Sequence, residues 1–96
     1  MSAVLVIAKL NFTDLSRYRQ YQAAFPVIFA GSGGQILAAD EGPTTLAGDR
    51  ADKIVVMRFP DSKTAQAFLT SPEYLRISED RDAGAITHSW MAKAFS

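Results

Sequence analysis

The chain has 96 residues, 48% of them hydrophobic and 21% charged, and its ten Lys+Arg and ten Asp+Glu cancel to a formal net charge of zero. That balance, with no cluster of Lys and Arg, excludes the basic surface that nucleic-acid binding needs to displace counterions from phosphates. The absence of cysteine excludes disulfides, thiolate catalysis and Cys-based metal sites. A chain of this length and composition is expected to form a single globular domain over residues 1–96.

The elements follow in order. Val4-Leu5-Val6-Ile7-Ala8-Lys9-Leu10 is apolar and β-branched without alternation, which fits a strand covered on both faces. The stretch from Met1 to Leu10 has no basic leader and is too short to span a bilayer, so a cytoplasmic protein is expected. Asn11, Thr13 or Asp14 offers an N-cap for a helix whose apolar face carries Leu15, Tyr18, Tyr21 or Gln22, Phe25, and Ile28 or Phe29. Pro26 inside it should kink the helix or remove one hydrogen bond. Gly31-Ser32-Gly33-Gly34 should end it through a left-handed cap. Gln35–Asp40 is a second strand, and residues 41–52 form a loop with a short extended piece. Lys53–Phe59 is a third strand ended by Pro60. Asp61 or Ser62 caps a helix through Thr70 with Ala65, Phe68 and Leu69 inward. Ser71-Pro72-Glu73 restarts a helix that runs to Arg81, and Gly84 breaks it. Ala85–Phe95 is the last strand.

This order, β-α-β-β-α-β, is that of an α+β ferredoxin-like domain: a four-stranded antiparallel sheet with its helices on one face. The opposite face must also be covered. On the last strand Ile86, His88, Trp90, Ala92 and Ala94 share one side and Ala85, Thr87, Ser89, Met91, Lys93 and Phe95 the other. Neither side is uniformly polar. A homodimer that pairs two sheets would cover the bare face, and the high apolar content of so small a chain points the same way.

Several short motifs recur together. Gly33-Gly34 after a tyrosine-bearing helix, Phe59-Pro60 after the third strand, Ser71-Pro72-Glu73-Tyr74 and then Arg81 resemble the domain-of-unknown-function family thirteen-thirty. The resemblance extends from Tyr18 to Arg81 and implies a dimeric α/β barrel of two ferredoxin-like chains. Relatives in that superfamily include cofactorless monooxygenases, muconolactone isomerase-like enzymes and haem-degrading enzymes, so the fold does not fix the function. Two positions depart from the family's pattern. The central loop reads Leu46-Ala47-Gly48 where the family has Leu-Glu-Gly, and Arg58 stands where an acidic residue usually precedes Phe-Pro.

Candidate chemistry rests on few residues. His88, the only histidine, is the side chain suited to proton transfer near neutral pH and shares a strand side with Trp90. It is either a general acid/base beside an aromatic wall or a strand histidine satisfied by a hydrogen bond. Tyr18, Tyr21 and Tyr74 offer phenols to a ligand or pack as core. Arg81 either binds a carboxylate in bidentate fashion or pairs with Glu79 or Asp82. Arg58, among apolar strand neighbours on the side of Ile54 and Val56, must reach solvent, an acid or a bound anion. One histidine and scattered carboxylates do not make a metal site. A haem held by His88 is an alternative through the superfamily, but no other residue asks for it, and no cofactor is expected.

Three function classes stay open at this point. The first is a cofactorless isomerase- or monooxygenase-like enzyme acting on a small apolar or aromatic molecule. In it His88 is the acid/base and Arg81, Arg58, Trp90 and Tyr21 hold the substrate. The second is a non-catalytic module that binds such a molecule. The third is a structural dimer with no ligand. No nucleic-acid or membrane partner is expected in any of them.

Overall fold

A computed structural model describes residues 2–95, so the two end residues of the expected span 1–96 lie outside it. The order is β1 (Val4–Phe12), α1 (Leu15–Phe29), β2 (Gln35–Asp40), β3 (Lys53–Phe59), α2 (Ser62–Leu69), α3 (Pro72–Gly84) and β4 (Ala85–Lys93). The strands form one antiparallel sheet in the order β2-β3-β1-β4. This is the ferredoxin-like arrangement, with its second helix split in two at Thr70-Ser71.

Local chemistry explains the boundaries. The Asp14 carboxylate accepts from the Arg17 amide at the start of α1, and Asp61 does the same for Thr64 at the start of α2. The Ser71 hydroxyl accepts from the Tyr74 amide, and Pro72 occupies the first turn of α3, where no amide is needed. α1 runs through Pro26, which only deprives the Gln22 carbonyl of its amide partner. The expected left-handed cap at the end of α1 is not there: Ala30 closes the helix in right-handed geometry, and the left-handed residue is Gly33, at φ +84°. That displacement lets the chain turn within Gly31-Ser32-Gly33-Gly34 and enter β2 directly. The loop 41–52 contains no strand, and β4 stops at Lys93, leaving Phe95 in solvent.

Alternation sorts the sheet's side chains. Val4, Val6 and Leu10 of β1 and Lys53, Met57 and Phe59 of β3 are buried beneath the helices. From α1 come Tyr18 and Tyr21, with Phe25, Ile28 and Phe29 partly buried behind them. Leu15, expected on the same face, is exposed at the helix's first position. Phe59, fully buried, meets Phe29 and Phe68 at 6.1 and 5.8 Å between ring centroids. Truncating it to alanine should cost about 3–5 kcal/mol. The other side of the sheet is uncovered: Ile86 and Trp90 are more than half exposed there, and Leu5, Ile7, Ile54 and Val56 only partly buried.

Gly84 shows how tightly α1 and α3 meet. Its carbonyl accepts from the amides of Thr13 and Asp14 at 2.9 and 3.1 Å. A Cβ at this position would fall 2.4 Å from the Tyr18 nitrogen and 2.7 Å from the Asp14 carbonyl oxygen. Glycine is required here for space, and the contact fixes where Tyr18 and Tyr21 enter the interior.

Candidate functional site

Between the helix-covered face of the sheet and α1 lies a cavity of about 220 Å³. Val6, Ala8, Val55 and Met57 line it from the sheet, and Phe25, Pro26 and Leu69 from the helices. An apolar cavity of about 150 Å³ accommodates benzene, so this one has room for a single substituted ring. Six polar side chains interrupt the apolar wall: Tyr18, Tyr21 and Gln22 from α1, Tyr74 and Arg81 from α3, and Ser89 from β4. Lys53, at the start of β3, adds a buried cation.

The polar groups are connected. Arg81 donates from Nη1 to the Tyr74 hydroxyl at 3.0 Å, and that hydroxyl lies 3.0 Å from the hydroxyl of Tyr21. A guanidinium can only donate, so the Tyr74 oxygen is polarised as an acceptor, and its own proton is best placed on Tyr21. The Tyr21 proton is then left for the cavity. Burial first, and then the Tyr74 hydroxyl, push the Tyr21 phenol well above the ordinary phenol range. Tyr21 is thus a neutral donor, suited to an oxyanion or a polarised oxygen and unsuited to act as a base. The Arg81 guanidinium stays charged; it pairs with Asp82 at 3.0 Å on the outer side and stands 5.9 Å from the centres of both phenol rings.

At the other end Lys53 has 5% of its side chain exposed. Its ammonium sits 4.9 Å from the centre of the Tyr18 ring and 3.4 Å from a Glu41 oxygen. Glu41 is bound far more closely by Arg19, which donates to both carboxylate oxygens, one of them at 2.7 Å. Those hydrogen bonds from Arg19, with Lys53 beside them, hold the Glu41 carboxyl down at about 2. Arg19 also donates to the side chain of Gln22 at 2.7 Å, tying this network to the cavity wall.

The structure divides the residues singled out in the sequence. Tyr21 and Arg81 come together in the cavity, joined by Tyr74. Of the two alternatives for Arg81, the pair with Asp82 is the one seen, and the guanidinium also lines the cavity. His88, Trp90 and Arg58 lie on the opposite, uncovered face of the sheet. His88 is exposed, with its ring 6.4 Å from that of Trp90, and Arg58 is partly buried among Ile54 and Val56. A catalytic role for His88 inside the cavity is therefore corrected: strand alternation turns Ser89, not His88, toward the helices. The same alternation takes Trp90 and Arg58 out of the substrate-binding set of this cavity. Lys53 was missed. A lysine opening a strand reads as a solvated end, and only its register opposite Leu10, on the helix side, shows that it is buried. Among the described residues no group of three or more His, Cys, Asp or Glu could hold a metal ion. No helix there is long and apolar enough to cross a membrane.

No curated protein matches the chain. Several solved structures share its shape. A protein of unknown function from Rhodopseudomonas palustris superposes with a TM-score of 0.84 at 13% identity, covering 99% of this chain and 84% of the other. SnoaB, a cofactor-independent oxygenase from Streptomyces nogalater, does so with 0.70 at 13% identity, over 100% and 96% of the two chains. A dimeric ferredoxin-like protein of unknown function from Thermobifida fusca gives 0.70 at 16% identity, over 97% and 92%. At such identities the likeness establishes the fold alone. The sequence goes further: residues 3–95 match the family described as Domain of unknown function (DUF1330), and the chain belongs to that family.

Proposed function

We propose that this chain binds a small aromatic or otherwise apolar molecule with a phenolic or enolisable oxygen in the cavity, and acts on it without a cofactor. The observation that carries this reading is the Arg81–Tyr74–Tyr21 chain of hydrogen-bonding groups ending on an apolar cavity the size of one ring. A donor polarised in this way stabilises negative charge on a ligand oxygen, as an enolate or phenolate develops it. Electron-rich anions of that kind are what an isomerase reprotonates or what dioxygen oxidises directly, and the Streptomyces nogalater neighbour is described as a cofactor-independent oxygenase.

A second reading has its own support. Neither carboxylate nor histidine lines the cavity, so no evident base takes the substrate's proton, and the same geometry would serve a module that only binds. The two readings separate in one experiment: a panel of phenols and 1,3-dicarbonyls, titrated against the protein and then followed for oxygen uptake or isomerisation with nothing else added. Turnover that falls about 10²–10³-fold in Tyr21→Phe supports the enzyme. Binding weakened by Tyr21→Phe, with no turnover, supports the binder. A panel in which nothing binds contradicts both.

The uncovered face of the sheet completes the reading. With Leu5, Ile7, Ile54, Val56, Ile86 and Trp90 on it, we take it as the contact between two copies of the chain, each working as one domain over residues 1–96. The Thermobifida fusca neighbour, described as dimeric, agrees with this. His88 and Arg58 then belong to the dimer contact. A cytoplasmic setting fits as well, since a chain without cysteine relies on no oxidising compartment.

A further inference from the structure

We infer that Lys53 is an anion-selecting residue of the cavity and Glu41 its displaceable counterion, so that the ligand is an aromatic carboxylate whose charged end replaces Glu41 on Lys53. The inference rests on the cavity being a ligand site, as proposed above, and names the class of molecule it takes.

Three observations lead to it. Lys53 is buried on the helix-facing side of the sheet and lines the cavity, yet among the described residues its one carboxylate contact is a long one, 3.4 Å to Glu41. A buried ammonium so loosely compensated is costly unless a further partner completes it. Next, Glu41 does not depend on Lys53. Arg19 grips both of its oxygens, so Lys53 can be released without leaving an unpaired carboxylate. Finally, Lys53 and the hydroxyl chain occupy different ends of one wall. Lys53 stands over the Tyr18 ring, the Tyr18 and Tyr21 rings are 5.6 Å apart, and Tyr21 meets Tyr74 and Arg81 beyond. A ring with a carboxylate at one end and a hydroxyl at the other meets a cation and a phenol donor in that order.

The test uses two probes of the same shape, 4-hydroxybenzoate and its neutral amide, titrated by calorimetry into the wild type, Lys53→Gln and Glu41→Gln. The wild type should bind the acid about tenfold or more tightly than the amide, the margin of a charge-assisted hydrogen bond. Lys53→Gln should bring the ratio near one by weakening the acid alone, and Glu41→Gln should tighten the acid by removing its competitor. Equal binding of acid and amide, or a preference for the acid that survives Lys53→Gln, overturns the inference and leaves the cavity reading intact. Failure of both probes to bind the wild type removes the cavity reading along with it. If Lys53→Gln does not fold, Glu41→Gln decides: tighter binding of the acid supports the inference, and unchanged or weaker binding overturns it.

Discussion

The hydroxyl of Tyr21 lies 3.0 Å from that of Tyr74, although 53 residues separate the two in the chain. They come from helices that meet only because Gly84, at the end of α3, lets the backbone of α1 approach. The site is thus a consequence of how the two helices pack, and Arg81, seven residues beyond Tyr74, completes it from the same side of α3.

Tyr74→Phe removes the acceptor of Arg81 and the partner of Tyr21 while keeping the ring. A partly buried donor on Arg81 and the buried acceptor oxygen of Tyr21 then each lose a partner, at a cost of about 1–3 kcal/mol. Chemical denaturation should show the loss as a lower midpoint with an unchanged slope. Stability equal to the wild type would mean that the hydroxyls are not joined as described.

Gly84→Ala should be more damaging than its single methyl suggests. The added carbon meets backbone atoms of Tyr18 and Asp14, which cannot swing aside as a flexible side chain would. Overpacking of this kind costs about 3 kcal/mol, readable in thermal or denaturant unfolding. Gly48→Ala has open space around it and tests strain at φ +81° instead. It should cost only about 1 kcal/mol.

Acid should weaken the fold through Glu41. Its carboxyl is held at about 2 in the folded protein, below the unfolded value of 4.5, by hydrogen bonds from Arg19 with Lys53 alongside. A depressed carboxyl contributes stability above its unfolded value, and that contribution is lost as pH falls toward 2. Unfolding measured at pH 7, 4 and 2.5 should therefore converge between the wild type and Glu41→Gln as the pH drops. Curves that stay parallel across that range would show that Glu41 makes no such contribution.

Trp90→Glu places a charge on the uncovered sheet face, where Trp90 is 55% exposed in the single chain. Sedimentation should show the wild type as a dimer and the variant as a monomer at the same concentration, because burying an unpaired carboxylate opposes association. A wild type that sediments as a monomer would leave the apolar face unexplained.

Much of the fold was legible because each boundary carries its own chemistry. Asp14, Asp61 and Ser71 cap their helices as their residue types predict, and the β-branched runs fall in strands. The cavity was half legible. Tyr21 and Arg81 stood out by spacing and motif, but the hydrogen-bond chain through Tyr74 depends on a helix crossing that no local pattern encodes. His88 stood out because it is the only histidine, which says nothing of the direction it points. Alternation on β4 groups His88 with Ile86 and Trp90, but which group faces the helices is settled by packing. On the helix side Ala85 is buried, Thr87 partly buried and Ser89 at the cavity, and the small size of these residues was the available signal. Lys53 was hidden for a related reason: burial of a charged strand residue is decided by its neighbours across the sheet.

The most direct test is to map binding on the protein itself by following backbone amide resonances during titration with 4-hydroxybenzoate. Shifts concentrated at Tyr21, Lys53, Val55, Tyr74, Arg81 and Ser89, with His88 and Trp90 unmoved, are the result predicted here. Shifts centred on His88 and Trp90, or none at all, would contradict the assignment of the cavity as the functional site.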